Sequence, residues 1–430
     1  MEKKKNAYIS KAIQYPLKIK VFWRSMGPGI IAGAADDDPS GIVTYTQAGA
    51  QFGSGFLWTA LLTWPLMAAV QMACARIGMV TGEGLASALE KKFPRPVLIL
   101  FCCALFLANT LNVGADLAAM ADSAEMLGGG SSHFYVIIFG VLIAWATIHL
   151  RYFQLARVLK WLAIFLFSYI ITAFIVGPDW GDALKNTFIP SWPTSKAQWS
   201  MLVAILGTTI SPYLFFWQSS QEVEEEKAAG RNPLQERTGA TEKEIAIRRY
   251  DVGIGTFFSN IVMYFIILTT ALTLNKHGLT NIETSRQAAE ALVPLAGRFA
   301  SLLYTVGLLG VGFLAIPTLT GSAAYALAET FGWDQGLDAK LGKARAFYTV
   351  ILISTIFAIA FDFSNINPIK ALYWSAVVNG LLAPFLLLGI FFVIKDKKIM
   401  KNQPASKLGQ FMVGLCMLLM FSAAVGMFFF

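Results

Sequence analysis

Three carboxylates stand in a row at Asp36-Asp37-Asp38, followed at once by Pro39-Ser40-Gly41, in an otherwise apolar stretch that opens on Gly27-Pro28-Gly29. A second stretch of small and polar residues around a proline, Gly207-Thr208-Thr209-Ile210-Ser211-Pro212-Tyr213, interrupts another apolar run. Proline removes a backbone donor and crowds the carbonyl four residues back, so each stretch should unwind and free backbone groups. Each Asp at the centre of a membrane helix costs about 2.5–3.5 kcal/mol on the insertion scale, so three together need a role such as an ion path or proton handling. Successive side chains fan around a helix by about 100° each, so the three cannot share one target on an intact helix. Asp38, directly before Pro39, is the leading ligand candidate. For Asp36 and Asp37 three readings stay open: lining a wet approach, pairing with a buried donor, or protonation through mutual repulsion.

The elements that position these residues are membrane helices. Of 430 residues, 56% are apolar and 14% charged, and mean hydropathy is +0.58. Runs of about 18 or more apolar residues are long enough to cross a hydrocarbon core of about 30 Å. Eleven are expected, at 27–51, 55–80, 97–122, 133–150, 155–177, 200–222, 251–274, 298–327, 345–361, 370–394 and 410–429. Residues 1–26 read as a cytosolic tail, because they carry lysines and no small-residue cleavage site. With that tail inside, 28 of the 34 Lys and Arg fall on the cytoplasmic side, as the positive-inside rule requires, and the C-terminus falls outside.

The breaks lie in the first and sixth spans, five apart. With an odd number of helices per unit, a second unit enters the membrane from the opposite side, which is the inverted-repeat plan with substrate held between discontinuous helices at the midplane. The expected division is residues 27–177 and 200–394 as two five-helix repeats, followed by 395–430 as a cytosolic loop and an eleventh helix. At membrane depth, unwound backbone is tolerated only where protein or a water-filled cavity satisfies it.

The first span resembles the NRAMP family of divalent-metal transporters at Gly27-Pro28-Gly29, Asp38-Pro39-Ser40-Gly41 and Gln47-Ala48-Gly49-Ala50-Gln51-Phe52-Gly53. The likeness continues through Asp116-Leu117-Ala118 and Gly207 to Tyr213. It implies an all-α, LeuT-like fold of 5+5 helices plus one. Departures from the family pattern bear on the cargo. Gly41 stands where the family has an asparagine ligand, and Ser211-Pro212-Tyr213 replaces Met-Pro-His, so thioether and imidazole are both gone. Carboxylate, hydroxyl, carbonyl and water suit Mg²⁺ and Mn²⁺ better than softer ions. The likeness therefore points to its magnesium-transporting relatives, with Asp38, Ser40, Gly41, Thr208 and Ser211 as the metal set around a partly hydrated ion. Asp116 keeps the first acid of the family's third-span pair, while Ala119 replaces the second and Tyr213 the histidine, which argues for uncoupled Mg²⁺ import with Mn²⁺ as a second ion. The alternative is a proton-coupled Mn²⁺ or Fe²⁺ importer. From other classes come a non-transporting receptor or scaffold and an organic-substrate carrier, whose anionic substrate three aspartates would repel.

Asn109, Asn112, Asn260 and Asn379 are polar residues in apolar spans, read either as pathway residues or as interhelical ties. Glu222, Glu224, Glu225 and Glu226 read as a solvated helix face. His133, His149 and His277 lack metal-ligand spacing, and the four cysteines sit in apolar spans as small hydrophobes. Neither a Walker motif nor a catalytic triad in a plausible domain appears, so an ATP-driven pump or a membrane enzyme has little support. Spread over loops, the net charge of +8 speaks for headgroups and topology, not for nucleic acid. The expected partners are a divalent cation and the bilayer of a cell inner membrane, with neither a resident cofactor nor an obligate protein partner.

Overall fold

The computed structural model describes residues 28–149, 165–364 and 366–429, and among them there is helix and no strand. The expected tail at 1–26 and the junction of the fourth and fifth spans lie outside the described residues. The first span is two helices, α1 (Pro28–Asp36) and α2 (Pro39–Phe52). The next four spans are α3 (Leu57–Thr81), α4 (Arg95–Gly128), α5 (Ser132–His149) and α6 (Phe167–Val176), the described part of the fifth. The sixth is again two helices, α7 (Lys196–Thr209) and α8 (Pro212–Ala228). Then follow α9 (Glu242–Thr273), α10 (Ala300–Phe331), α11 (Arg345–Asp362), α12 (Pro368–Lys395) and α13 (Lys407–Phe429).

Nine described segments are long and apolar enough to cross a bilayer. One of them, Pro39–Thr81, contains both α2 and α3, joined by a 3-10 turn at Gly53–Phe56. Gly53 enters that turn at φ 59°, a left-handed angle that costs glycine nothing. Counting that segment as two passes and adding α6 gives the eleven spans of this multi-pass membrane protein.

Glycines set the approach of the broken spans to their neighbours. A Cβ on Gly33 of α1 would fall 2.4 Å from the Gly255 backbone of α9, and one on Gly49 of α2 would fall 2.3 Å from the Ile267 carbonyl of α9. In the other repeat, a Cβ on Gly78 of α3 would fall 2.4 Å from the Ser219 carbonyl of α8. Thus the second half of each broken span meets the second helix of the opposite repeat backbone to backbone, the close packing that small residues allow in membranes. This is the relation an inverted repeat demands.

Helix α9 starts at Glu242, nine residues before the expected span. Thr241 and Glu244 form a reciprocal capping box there, which satisfies the helix's first free N–H groups.

Candidate functional site

Asp38 is the N-cap of α2. Its Oδ1 accepts the Gly41 N–H at 2.8 Å and the Ser40 hydroxyl at 2.6 Å. Its Oδ2 accepts Asn112 Nδ2 from α4 at 3.0 Å. The same Nδ2 lies 3.4 Å from Asp116 Oδ2, one helical turn along α4, and Asn112 Oδ1 accepts the Ser375 hydroxyl of α12 at 2.6 Å. Asp116 Oδ1 is buried and has no hydrogen-bond partner.

The break in span 6 faces the break in span 1. Ser211, the N-cap of α8, turns its hydroxyl back onto the last turn of α7, 2.9 Å from Gly207 O and 2.5 Å from Thr208 O, leaving the oxygen's lone pairs available. Thr208 Oγ1 lies 3.3 Å from Ser40 Oγ, and Thr209 Oγ1 lies 3.0 Å from the Tyr45 hydroxyl. Tyr213 donates to Ala35 O at 2.9 Å, which ties the start of α8 to the end of α1. Asp38, Ser40, Thr208 and Ser211 are each at most 1% exposed, so the site is closed. A side chain at Gly41 would enter this gap, its Cβ 3.2 Å from Thr208 Oγ1 and 3.4 Å from the Tyr45 ring. The room the missing side chain leaves is already bounded by those two residues.

Asp36 and Asp37 turn the other way. Ser259 of α9 lies 2.7 Å from Asp36 Oδ2 and 3.2 Å from Asp37 Oδ1, so one hydroxyl serves two carboxylates, and Asp36 Oδ1 has no partner. Among the described residues no Lys, Arg or His comes within ion-pair distance of Asp36, Asp37, Asp38 or Asp116. Four buried carboxylates therefore have only hydroxyl, amide and backbone groups around them. A buried charge without a counter-charge is costly.

The asparagines divide. Asn109 donates to Leu319 O and Ser322 Oγ of α10, both at 2.9 Å, and Asn260 accepts the Thr63 hydroxyl of α3 at 2.6 Å, so these two are interhelical ties. Asn112 belongs to the site. Asn379 has both amide atoms buried and unpartnered, and it lies one turn beyond Ser375 on the same face of α12.

The acidic run after span 6 is not a solvated face. Glu222 is 2% exposed, and its Oε1 lies 2.7 Å from both Arg248 Nε of α9 and Gln218 Nε2. Arg248 also meets Glu225 at 2.5 Å and Asp251 at 2.6 Å. Lys227 pairs with Glu224 and Arg231 with Glu226. Asp251 Oδ2 accepts the Gly29 N–H at 2.8 Å, so this cluster holds the first turn of α1. The early start of α9 brings Arg248 onto a helix beside α8. Sequence reasoning missed Arg248, Ser259 and Ser375. The capping-box pattern Thr241-x-x-Glu244 was a readable signal for the first, whereas single serines in apolar helices carry none.

A family description, Natural resistance-associated macrophage protein-like, matches residues 29–429. The chain belongs to the Nramp family. A relative from Caldanaerobacter subterraneus subsp. tengcongensis, a divalent metal cation transporter MntH, is 27% identical over 93% of this chain and 90% of its own length. An MntH from Erwinia tasmaniensis is 29% identical over 74% of each chain. Among solved structures, the manganese transporter of Eremococcus coleocola aligns with a TM-score of 0.75 at 18% identity, over 96% of this chain and 87% of that one. Mhp1, a nucleobase-cation-symport-1 transporter, aligns at 0.57 with 14% identity, over 94% of this chain and 93% of that one. These structural likenesses establish the fold of this Nramp-family chain: a LeuT-like inverted repeat with spans 1 and 6 unwound.

Proposed function

We propose that this Nramp-family protein carries divalent metal cations across the membrane by alternating access, that Mg²⁺ is its main cargo with Mn²⁺ as a second ion, and that it imports them without proton coupling. The observation that carries this reading is the set of four buried carboxylates that no cationic side chain among the described residues approaches. Such a set is electrostatically incomplete until a cation arrives, and the family's relatives are named divalent metal cation transporters. Asp38 supplies the charged ligand. Ser40, Thr208 and Ser211 offer hydroxyl oxygens, Gly41 a backbone position without a side chain, and Asn379 an unpartnered amide on the facing helix. All are hard oxygen donors of the kind that hold a Mg²⁺ ion keeping part of its water. Tyr213 ties α8 to α1 and Asp36 and Asp37 meet Ser259 of α9, so all three stand outside the ion's shell.

The positive-inside distribution supports an N-terminus in the cytoplasm, and the five-span interval between the breaks supports residues 27–177 and 200–394 as the two repeats of an inner-membrane protein. In that orientation the Arg248 cluster closes the cytoplasmic end of α1. Inward transport is then driven by concentration and by about 2.3 kcal/mol per charge per 100 mV of membrane potential.

A proton-coupled Mn²⁺ importer is the second reading. Two observations favour it: the Eremococcus protein that shares the fold is a manganese transporter, and Asp116 keeps an unpartnered Oδ1. Uptake into proteoliposomes separates the two, with Mg²⁺ and Mn²⁺ compared, internal pH recorded in parallel and Asp38→Ala as control. Entry of both ions without acidification, lost in the variant, supports the proposal. Entry of Mn²⁺ alone, with protons, replaces it by the second reading, and entry of neither removes the metal assignment.

A further inference from the structure

Asn112 is fully buried in the middle of α4 and bonds to two other spans at once. Its NH₂ group donates to Asp38 Oδ2 at 3.0 Å and reaches Asp116 Oδ2 at 3.4 Å, and its carbonyl oxygen accepts from Ser375 of α12 at 2.6 Å. The Ser375 hydroxyl also lies within hydrogen-bond distance of a second acceptor, Leu372 O, at 2.8 Å. One hydroxyl proton thus faces two acceptors.

The two ends of a side-chain amide are nearly the same size and opposite in hydrogen-bond sign. If the amide turns over, Nδ2 donates to Ser375 Oγ, and the Ser375 proton goes to Leu372 O. Hydrogen bonding at Ser375 is complete in both orientations. The difference falls on the other side, where Oδ1 now faces Asp38 and Asp116. An oxygen facing two carboxylates is repelled when the site is empty and becomes a ligand when a divalent cation sits among them. Among the described residues Asn112 is the one side-chain amide bonded to Asp38, whose remaining partners are Ser40 and the Gly41 N–H.

We infer that Asn112 is a reversible ion ligand: its NH₂ clamps Asp38 in the empty site, its carbonyl oxygen turns onto the bound divalent cation, and Ser375 is the pivot. The inference rests on Asp38 binding the ion. It adds a hard oxygen from α4 to the set, which favours Mg²⁺ and Mn²⁺. It also gives the empty and loaded carriers different ties between span 1 and the helices α4 and α12.

The test is calorimetric titration of purified full-length protein with Mg²⁺ and Mn²⁺, with a thermal melt confirming that each variant is folded. A ligand role makes Asn112→Leu bind about 10–100-fold more weakly, the usual scale for losing a group that supports a metal site. It also makes Asn112→Asp, which keeps an oxygen and loses the clamp, bind at least as tightly as wild type. A residue that only clamps the empty site competes with the ion, so its removal would tighten binding. Equal or tighter binding by Asn112→Leu, with Asp38→Asn inactive, therefore overturns the inference and leaves the metal reading standing. Wild-type binding by Asp38→Asn overturns the metal reading itself. Should the leucine variant not fold, Asn112→Ala is read in the same way, because it too removes both the carbonyl oxygen and the NH₂ group.

Discussion

The two ends of α1 carry acidic clusters built on opposite principles. At Gly29 the carboxylates of Glu222, Glu225 and Asp251 surround Arg248, which supplies the cation from within the chain. At Asp36–Asp38 the carboxylates meet Ser259, Ser40 and Asn112, which donate hydrogen bonds and bring no positive charge. A cluster with its own guanidinium is a fixed joint. One without is, on the proposed function, a place for a cation from solution, and the nine residues of α1 join the two.

Removing charge should therefore have opposite consequences at the two ends. Arg248→Ala leaves Glu222 buried without its counter-charge, and breaking a buried ion pair in this way costs about 3–5 kcal/mol. The thermal melt should fall sharply, and adding Glu222→Gln should recover part of the loss by removing the stranded charge. An Arg248→Ala protein as stable as wild type would show that the joint is not electrostatic.

At the other end, Asp38→Asn removes a buried charge that has no counter-charge in the empty protein. The ion-free melt should stay the same or rise, since an Asp at membrane depth costs about 2.5–3.5 kcal/mol. Divalent uptake should nevertheless disappear, and addition of Mg²⁺ should no longer raise the melting temperature as it does when a ligand binds the native state. A large loss of ion-free stability would assign Asp38 to the fold and erase the contrast.

The difference between the ends also marks what the sequence could show. Proline beside aspartate in an apolar run is rare enough to stand out, so the break, Asp38, Ser40 and the facing Thr208 were legible one residue at a time. So was the repeat, because it needs only the interval between two breaks. Partners were not legible. Asn109, Asn112 and Asn260 look alike in sequence, yet one face of α4 points Asn109 at α10 while the next turn points Asn112 at Asp38. The Arg248 joint was hidden by a boundary: with α9 begun nine residues late, its arginine falls in a loop and the glutamates of α8 appear solvated. A helix start misplaced by two turns changes both the face and the depth of every charge on it.

A smaller effect is expected from restoring bulk and softness to the open site. Gly41→Asn puts a side chain against Thr208 and Tyr45, and Ser211→Met adds a thioether where there is a hydroxyl. Together they should move the Mg²⁺/Mn²⁺ uptake ratio toward Mn²⁺ by about tenfold, or about 1.4 kcal/mol, because thioether ligands favour softer ions. Competition of the two ions in one liposome assay measures the ratio directly. An unchanged ratio would mean that selectivity comes from elsewhere, with Asn112 and Asn379 the next residues to vary.

The smallest effect belongs to a carboxylate that neither end of α1 governs. Asp396, exposed after α12, accepts from Lys92 at 2.9 Å and from the backbone N–H groups of Lys398 and Ile399, and these bonds, Lys92 first, hold its pKa below the ordinary value. A depressed carboxylate contributes stability that is present above its unfolded pKa, near 3.9, and lost as pH falls through the folded value. Lys92→Ala should therefore lower the melt between pH 5 and 8 by a small and nearly constant amount, which closes in the acid limb where Asp396 is protonated in both proteins; the amount is small because the pair is open to water and screened by salt. This makes the pair a control for the comparison. A pH dependence of uptake between pH 5 and 8 that survives Lys92→Ala and vanishes with Asp116→Asn would trace to the cluster without a guanidinium, which is the behaviour of the proton-coupled reading. Uptake flat across that range is what an uncoupled carrier of hard cations gives.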